Sequence, residues 1–314
     1  APFLIFALGG LVIWVATFQG PGLYVDSVSY LRGLRALMAG ESIFSLGTHF
    51  TPGFTLLWAA FAALTGDEFI AARLLAVVSY STMLVGAWFC LCRLPKQREA
   101  LLWLSFLFLF FSPTMVSLHW MALSEGPFLA FFIWAVYAVI RIGYSRDAGR
   151  GTWVLLYLCL AALCLIRYAG VPLSAALLLG LFAVGYRKDW RALAGLAAFG
   201  VMAVAPLAAW VVASLSSDVA RSPRPVGFHL PDIENLGQLG ETLSGWMGNI
   251  PGLVAGLLCL ALLATLIGNP ASRKSPQVIL GLIILASYLG FLLVSITFFD
   301  AYKETPYLEV WWGD

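Results

Sequence analysis

The chain is a succession of apolar runs, most of them near the length of a membrane crossing, set apart by short polar stretches. Runs of about 20 apolar residues predict membrane-spanning helices. There are nine: Pro2–Phe18, Phe69–Cys92, Ala100–Ser117, Ala122–Ile140, Thr152–Ile166, Gly170–Tyr186, Ala192–Ser214, Pro251–Gly268 and Pro276–Phe299. A tenth run, Pro52–Thr65, has only 14 residues. As a helix it would reach about 21 Å, short of a hydrocarbon layer about 30 Å thick. The stretch Gly22–Gly40 differs from all of these: Asp26 precedes Ser27–Met38, where apolar and polar residues recur at helical spacing. It predicts a short amphipathic helix beside the first membrane helix.

Charge settles the topology of these segments. Basic residues gather in cytoplasmic loops. The clusters Arg93/Lys96/Arg98, Arg141/Arg146/Arg150, Arg187/Lys188/Arg191 and Arg273/Lys274 hold 11 of the 18 basic residues. They share one side only if Pro52–Thr65 does not cross. Residues 19–68 then form one outer loop with two surface-lying helices, around Ser27–Met38 and Pro52–Thr65. Asp26, Glu41, Asp67, Glu68, Asp232, Glu234 and Glu241 fall outside as well. Residues 215–250 form a second outer loop, whose "DIENLGQLGETLSGWMG" could make an amphipathic interfacial helix. Pro2–Phe18 could be the apolar region of a signal peptide, but reads better as a membrane helix whose cytoplasmic lead-in is missing. Both ends read as cut, with the C-terminal part missing.

Composition agrees with the pattern. The chain is 61% hydrophobic and 11% charged, against about 45–50% and about 25% in soluble domains. The long unbroken runs exclude a transmembrane barrel. The fold class is therefore all-α: a polytopic membrane helical bundle of about nine transmembrane helices, with juxtamembrane helices in its first outer loop. The five cysteines all lie in apolar runs, as small buried residues rather than a disulfide or metal framework. No phosphate-binding glycine loop occurs, and sparse basic residues, mostly in membrane-flanking loops, argue against nucleic acid as a partner.

A few polar residues call for more than packing. Asp26 could cap the helix that follows, although Ser27 or Ser29 could do so equally well; it is also placed to take a proton from an incoming hydroxyl. Tyr30 lies four residues on, on the same helical face. His49, in "GTHFTPGF", is either an interfacial histidine before a proline-started helix or part of a site. Glu125 stands at the outer end of an apolar helix, where Ser124 could cap and the helix N-terminus would favour a carboxylate. Arg73 and Arg167, the latter beside Tyr168, are cations at the outer ends of membrane helices. They either snorkel to headgroups or meet phosphate, the ligand that suits a guanidinium fork. A divalent metal is possible, with Asp26, Glu125 and His49 as its candidate ligands, but no spacing joins them and no cofactor is implied.

In order along the chain, an outer-loop aspartate on a juxtamembrane helix is followed by "THFTPGFTLLWAAFAALTG". Then come "DEFIAARLLAVVSYSTMLVGAWFCLCR", "SPTMVSLHWMALSEGPFLAFFIWAVYAVIR" and "CLIRYAGVPLSAALLL". In combination they resemble the GT-C superfamily of glycosyltransferases, in its protein-mannosyltransferase and lipid A aminoarabinose-transferase branch. The resemblance covers nearly all of residues 1–314, as a single transmembrane domain. It implies a sugar carried on polyprenyl phosphate, and transfer to a lipid, glycan or protein hydroxyl on the outer face of a bacterial inner membrane. It matches Asp26 and Glu125 to the family's acidic catalytic positions, His49 and Pro52 to its loop motif, and Arg73 and Arg167 to arginines at the donor phosphate. The chain departs from the family where a second acid often follows the aspartate and Ser27 stands instead, and where "KETPYLEVWWGD" replaces a further helix. Two other functions fit a polytopic chain: a transporter or lipid flippase, and an inactive polyprenyl-lipid-binding protein. Rim charges and the lack of a repeat count against transport.

Overall fold

A computed structural model describes residues 2–46, 50–93, 103, 106–107, 109–144, 148–183, 190–216, 283 and 287. The second outer loop beyond Ser216, the last two predicted spans apart from residues 283 and 287, His49 and most of the basic cluster residues lie outside the described residues. The chain divides into two compact units, Ala1–Ser222 and Pro223–Asp314; the following concerns the first.

The described residues are helical. The helices are α1 (Pro2–Ala16), α2 (Val25–Met38), α3 (Gly53–Thr65), α4 (Glu68–Leu91), α5 (Pro113–Trp120), α6 (Glu125–Tyr144), α7 (Arg150–Ile166), α8 (Gly170–Ala183) and α9 (Trp190–Leu215), with a 3-10 turn at Ile43–Leu46. Within α4, α6 and α9 there are stretches long and apolar enough to cross a membrane, while α1, α3, α7 and α8 are shorter apolar helices. The predicted run Ala100–Ser117 is not one helix. It breaks at Ser112, whose Oγ accepts the Met115 amide at 3.4 Å, and Pro113 starts α5. A proline is tolerated in a first helical turn and disfavoured inside a helix, so the break falls just before it.

Small residues make α4 the hub. Its buried positions include Ala71, Ala72, Ala76, Ser79, Ser81, Gly86 and Ala87, and neighbouring backbones can approach such positions closely. Helices α1, α3 and α6 pack around it. A Cβ on Gly9 would lie 2.8 Å from Leu84, and one on Gly86 would lie 2.9 Å from Ile133. The opposite face of α1 stays bare, with Leu4 64% and Val15 62% exposed, which suits lipid and not water.

The contacts fix helix directions. Gly9 meets Leu84 while Arg73 reaches Trp14, so α1 and α4 are antiparallel. The Trp134 Nε1–H donates to Thr82 at 3.0 Å and Phe89 meets Tyr137, so α4 and α6 run in parallel. A tight turn reverses α7 into α8: a Cβ on Gly170 would fall 2.2 Å from the Leu163 carbonyl. Trp210 of α9 returns to Cys164 and Tyr168. The starts of α4, α6 and α8 and the ends of α1, α7 and α9 therefore share one end of the bundle. Arg93, Arg141, Arg150 and Arg191 lie at the other end.

Helices α2 and α3 pack at the first of these ends. With 13 residues, α3 is about 20 Å long, too short to span. Its first residue, Gly53, abuts the end of α7, where a Cβ would be 2.6 Å from the Leu165 backbone. The Trp58 Nε1–H donates to the Glu68 carbonyl at 2.7 Å, tying α3 to the start of α4. Arg35 of α2 makes a two-pronged ion pair with Glu68, one prong being Nε to Oε2 at 3.0 Å.

Substituting Gly53→Ala should therefore lower stability by about 2 kcal/mol or more, the scale of overpacking a core. Gly195→Ala meets nothing within 4 Å and should instead stabilise by about 0.5–1 kcal/mol through helix propensity. Thermal unfolding of the two variants in the same detergent checks the contrast.

Candidate functional site

A short backbone latch brings two segments together that lie about a hundred residues apart in sequence. Gly22 and Met121 form an isolated parallel bridge: the Gly22 amide donates to Trp120 at 3.2 Å and the Ala122 amide to Gly22 at 2.9 Å. Just after the first segment α2 begins. The Tyr24 amide donates to Ser27 Oγ at 3.0 Å. Ser27 thus closes the helix start, and Asp26 is left in the first turn with its side chain exposed. Just after the second segment come Ser124 and Glu125, the start of α6.

The buried face of α2 is Ser27, Tyr30, Leu31 and Leu34, which recur at the spacing of one helix face. Tyr30 is 5% exposed, between the rings of Phe50 at 4.8 Å and Phe54 at 4.7 Å. Its hydroxyl donates to Ser124 Oγ at 3.2 Å. Burial pushes this phenol up to about 12, with Arg167, Glu125 and Asp26 as the charges acting on it. Tyr30 is thus a neutral donor at physiological pH.

Arg167 arrives from a third segment as the C-cap of α7. Its Nη1 donates to Ser124 Oγ at 2.9 Å and forms an ion pair with Glu125 Oε1. The Ser124 hydroxyl in turn donates to Glu125 Oε2 at 3.4 Å. A serine hydroxyl has one donor and two acceptor sites, and Ser124 uses all three. It is 1% exposed, whereas the Arg167 and Glu125 side chains are 38% and 25% exposed. The site is a half-open carboxylate–guanidinium pair seated on a buried hydroxyl.

The structure thus gathers Tyr30, Glu125 and Arg167, with Asp26 one helical turn from Tyr30. It places the other candidates elsewhere. Arg73 serves the end of α1: Nε donates to Thr17 Oγ1 at 3.3 Å, Nη2 donates to the Trp14 carbonyl at 3.2 Å, and the guanidinium lies 4.0 Å over the Trp14 ring. A helix C-terminus has unpaired carbonyls and favours a cation there. Tyr168 packs with Cys164, Leu207 and Trp210. His49 lies outside the described residues, one position before Phe50, which touches Tyr30. Among the described residues, no three His, Cys, Asp or Glu side chains gather into a metal-binding group.

Sequence reading missed two residues. Ser124 carries the network, yet its position before an apolar helix signals only a cap. His119 lies behind it, 1% exposed. Its Nδ1 bonds the Met115 carbonyl at 2.7 Å and its ring stands edge-on to Tyr80 at 5.0 Å. A Cβ on Gly126 would come within 3.1 Å of that ring, so the histidine backs the turn that presents Glu125.

Comparison with models of protein families, with curated proteins and with solved structures finds no match to this chain.

One test follows from the geometry. Ser124→Ala strands the buried Tyr30 hydroxyl and should cost about 1–3 kcal/mol; adding Tyr30→Phe removes the stranded group and should restore part of the loss in a thermal-unfolding cycle.

Proposed function

We propose that the protein is a membrane glycosyltransferase that moves a sugar from a polyprenyl-phosphate donor to an acceptor hydroxyl at the non-cytoplasmic face. The observation that carries this reading is the meeting of Tyr30, Ser124, Glu125 and Arg167, drawn from three remote segments, with Asp26 exposed one helical turn from Tyr30. A cation and two carboxylates at the rim of an apolar bundle suit a substrate that is phosphate-headed and membrane-held. Near-midplane charges would suit transport instead.

Two further features support it. Arg93, Arg141, Arg150 and Arg191 cluster at the end opposite the site, and basic residues favour the cytoplasmic side; on this reading the chain crosses about nine times and the site faces outward. An apolar cavity of about 640 Å³ lies between α8 and α9, and Val171, four residues after Arg167 in the chain, is among its lining residues. It is lined by residues such as Leu178, Leu196 and Val204 and suits a prenyl chain whose phosphate lies at the rim.

In this mechanism the acceptor oxygen attacks the anomeric carbon and its proton passes to the Asp26 carboxylate. The bond from that carbon to the phosphate oxygen breaks, and the electron pair leaves with the lipid phosphate. Arg167 stabilises the charge that develops there. The transition state is oxocarbenium-like, so the carboxylates also stabilise it electrostatically. Arg73 serves the end of α1 and Arg167 stands beside Glu125, so this reading gives the phosphate role to Arg167.

Asp26→Asn should abolish sugar release from a polyprenyl-phosphate donor and leave membrane insertion and melting temperature intact. Arg167→Ala should raise the donor concentration needed for half-maximal rate at least tenfold, the scale of one lost charge-assisted contact at about 1.4 kcal/mol per factor of ten. Wild-type turnover in Asp26→Asn would remove the residue from the chemistry.

A further inference from the structure

Among the buried polar atoms of the described residues, one ring nitrogen of His119 stands beside a cavity. The residue lies near the end of α5 and is 1% exposed. Its Nδ1 is 2.7 Å from the Met115 carbonyl. A carbonyl only accepts, so in the neutral ring the proton sits on Nδ1 and Nε2 carries a lone pair. Nε2 is buried and has no hydrogen-bond partner among the described residues. Leaving such an atom unpaired costs free energy.

Nε2 faces Gly126, on which an added Cβ would lie 3.6 Å from it. His119 and Gly126 both line a cavity of about 10 Å³, room for about one water molecule and nothing larger. Phe54, Ala72 and Leu75, all buried, make its apolar wall. Ala122 and Leu123 line it as well. Their amides are used, by Gly22 at 2.9 Å and Met121 at 2.8 Å, while their carbonyls accept no hydrogen bond among the described residues. The Gly126 backbone is a further polar neighbour of the ring but completes no bond to Nε2. Nε2 and the two carbonyls are acceptors, so the occupant that suits them is a donor. A water offers two O–H groups, enough to reach the ring and one carbonyl together.

We infer that this cavity is the site of one buried water, which donates to Nε2 of His119 and to a carbonyl of the Ala122–Leu123 turn. It ties the end of α5 to the stretch that presents Ser124 and Glu125. Ser124 has no capacity left to brace that stretch from behind, since its hydroxyl is committed to Tyr30, Arg167 and Glu125. The competing arrangement is an imidazolium whose Nε2–H reaches the Gly126 backbone directly. It would place a charge among Phe54, Leu75 and Tyr80 with no ion pair to a carboxylate among the described residues, which is costly. The inference concerns how the turn is held and does not depend on the glycosyltransferase reading.

The test is solid-state nitrogen NMR of the full chain, labelled at histidine and reconstituted in phosphatidylcholine. The chain has three histidines, so the His49→Gln, His229→Gln variant leaves His119 as the single labelled residue. Nδ1 should carry a proton, Nε2 should carry none, and magnetisation should pass from water protons to Nε2. In Gly126→Ala on the same background the new methyl group, 3.1 Å from ring Cδ2 and 3.6 Å from Nε2, takes the water's place. The transfer to Nε2 should then be lost while the Nδ1 proton stays. Transfer that survives Gly126→Ala overturns the assignment of the water to this cavity. With Gly126 in place, an Nε2 that receives nothing from water, or one that bears its own proton, overturns the inference, and both readings stand even if Gly126→Ala fails to fold. Each of these outcomes leaves the transferase reading to its own test at Asp26.

Discussion

The structure turns on a saturated serine hydroxyl. Ser124 accepts from Tyr30 and from Arg167 and donates to Glu125, and so joins α2, the start of α6 and the end of α7 at one point. A buried hydroxyl costs free energy unless its bonds are made. That requirement fixes the three helix ends relative to one another more tightly than apolar packing, which tolerates sliding. The ion pair above it adds little stability of its own. Its value is that it holds a carboxylate and a guanidinium together at an accessible rim.

Glycines let those ends come close enough. Gly53 lets α3 lie against the last turn of α7, and Gly170 folds α8 back on it, in both places at distances that no Cβ would allow. The small residues of α4 do the same at the centre of the bundle, drawing α1, α3 and α6 onto one helix. In an apolar environment the gain from close packing replaces most of the hydrophobic drive. His119 then fills the space beneath the Glu125 turn, where Gly126 leaves room for its ring.

The arginines divide the bundle into two ends with different chemistry. At one end they are engaged: Arg35 with Glu68, Arg73 with α1, and Arg167 with Ser124 and Glu125. At the other they flank the helices in the pattern expected of a cytoplasmic surface. An electrostatically organised rim across from a basic one is the arrangement on which the glycosyltransferase proposal rests.

The sequence by itself determined the helical class, the positions of the long apolar helices, the shortness of Pro52–Thr65 and the candidates Asp26, Tyr30, Glu125 and Arg167. These follow from run length, periodicity and the cost of placing charge near lipid, all of which are local properties. Tertiary structure decided the rest. Arg73 and Arg167 look alike in sequence, each a lone arginine near the end of an apolar run, but one meets helix carbonyls and an aromatic ring while the other meets a carboxylate. Ser124 reads as an ordinary cap until Tyr30 and Arg167 arrive from 94 and 43 residues away. His119 has no signal in the sequence, since its burial depends on Tyr80 and Gly126 closing around it. The physical reason is that a side chain's partners across helices are set by which backbones can approach. That depends on small residues scattered along the chain, which no local pattern pairs with the sites they serve.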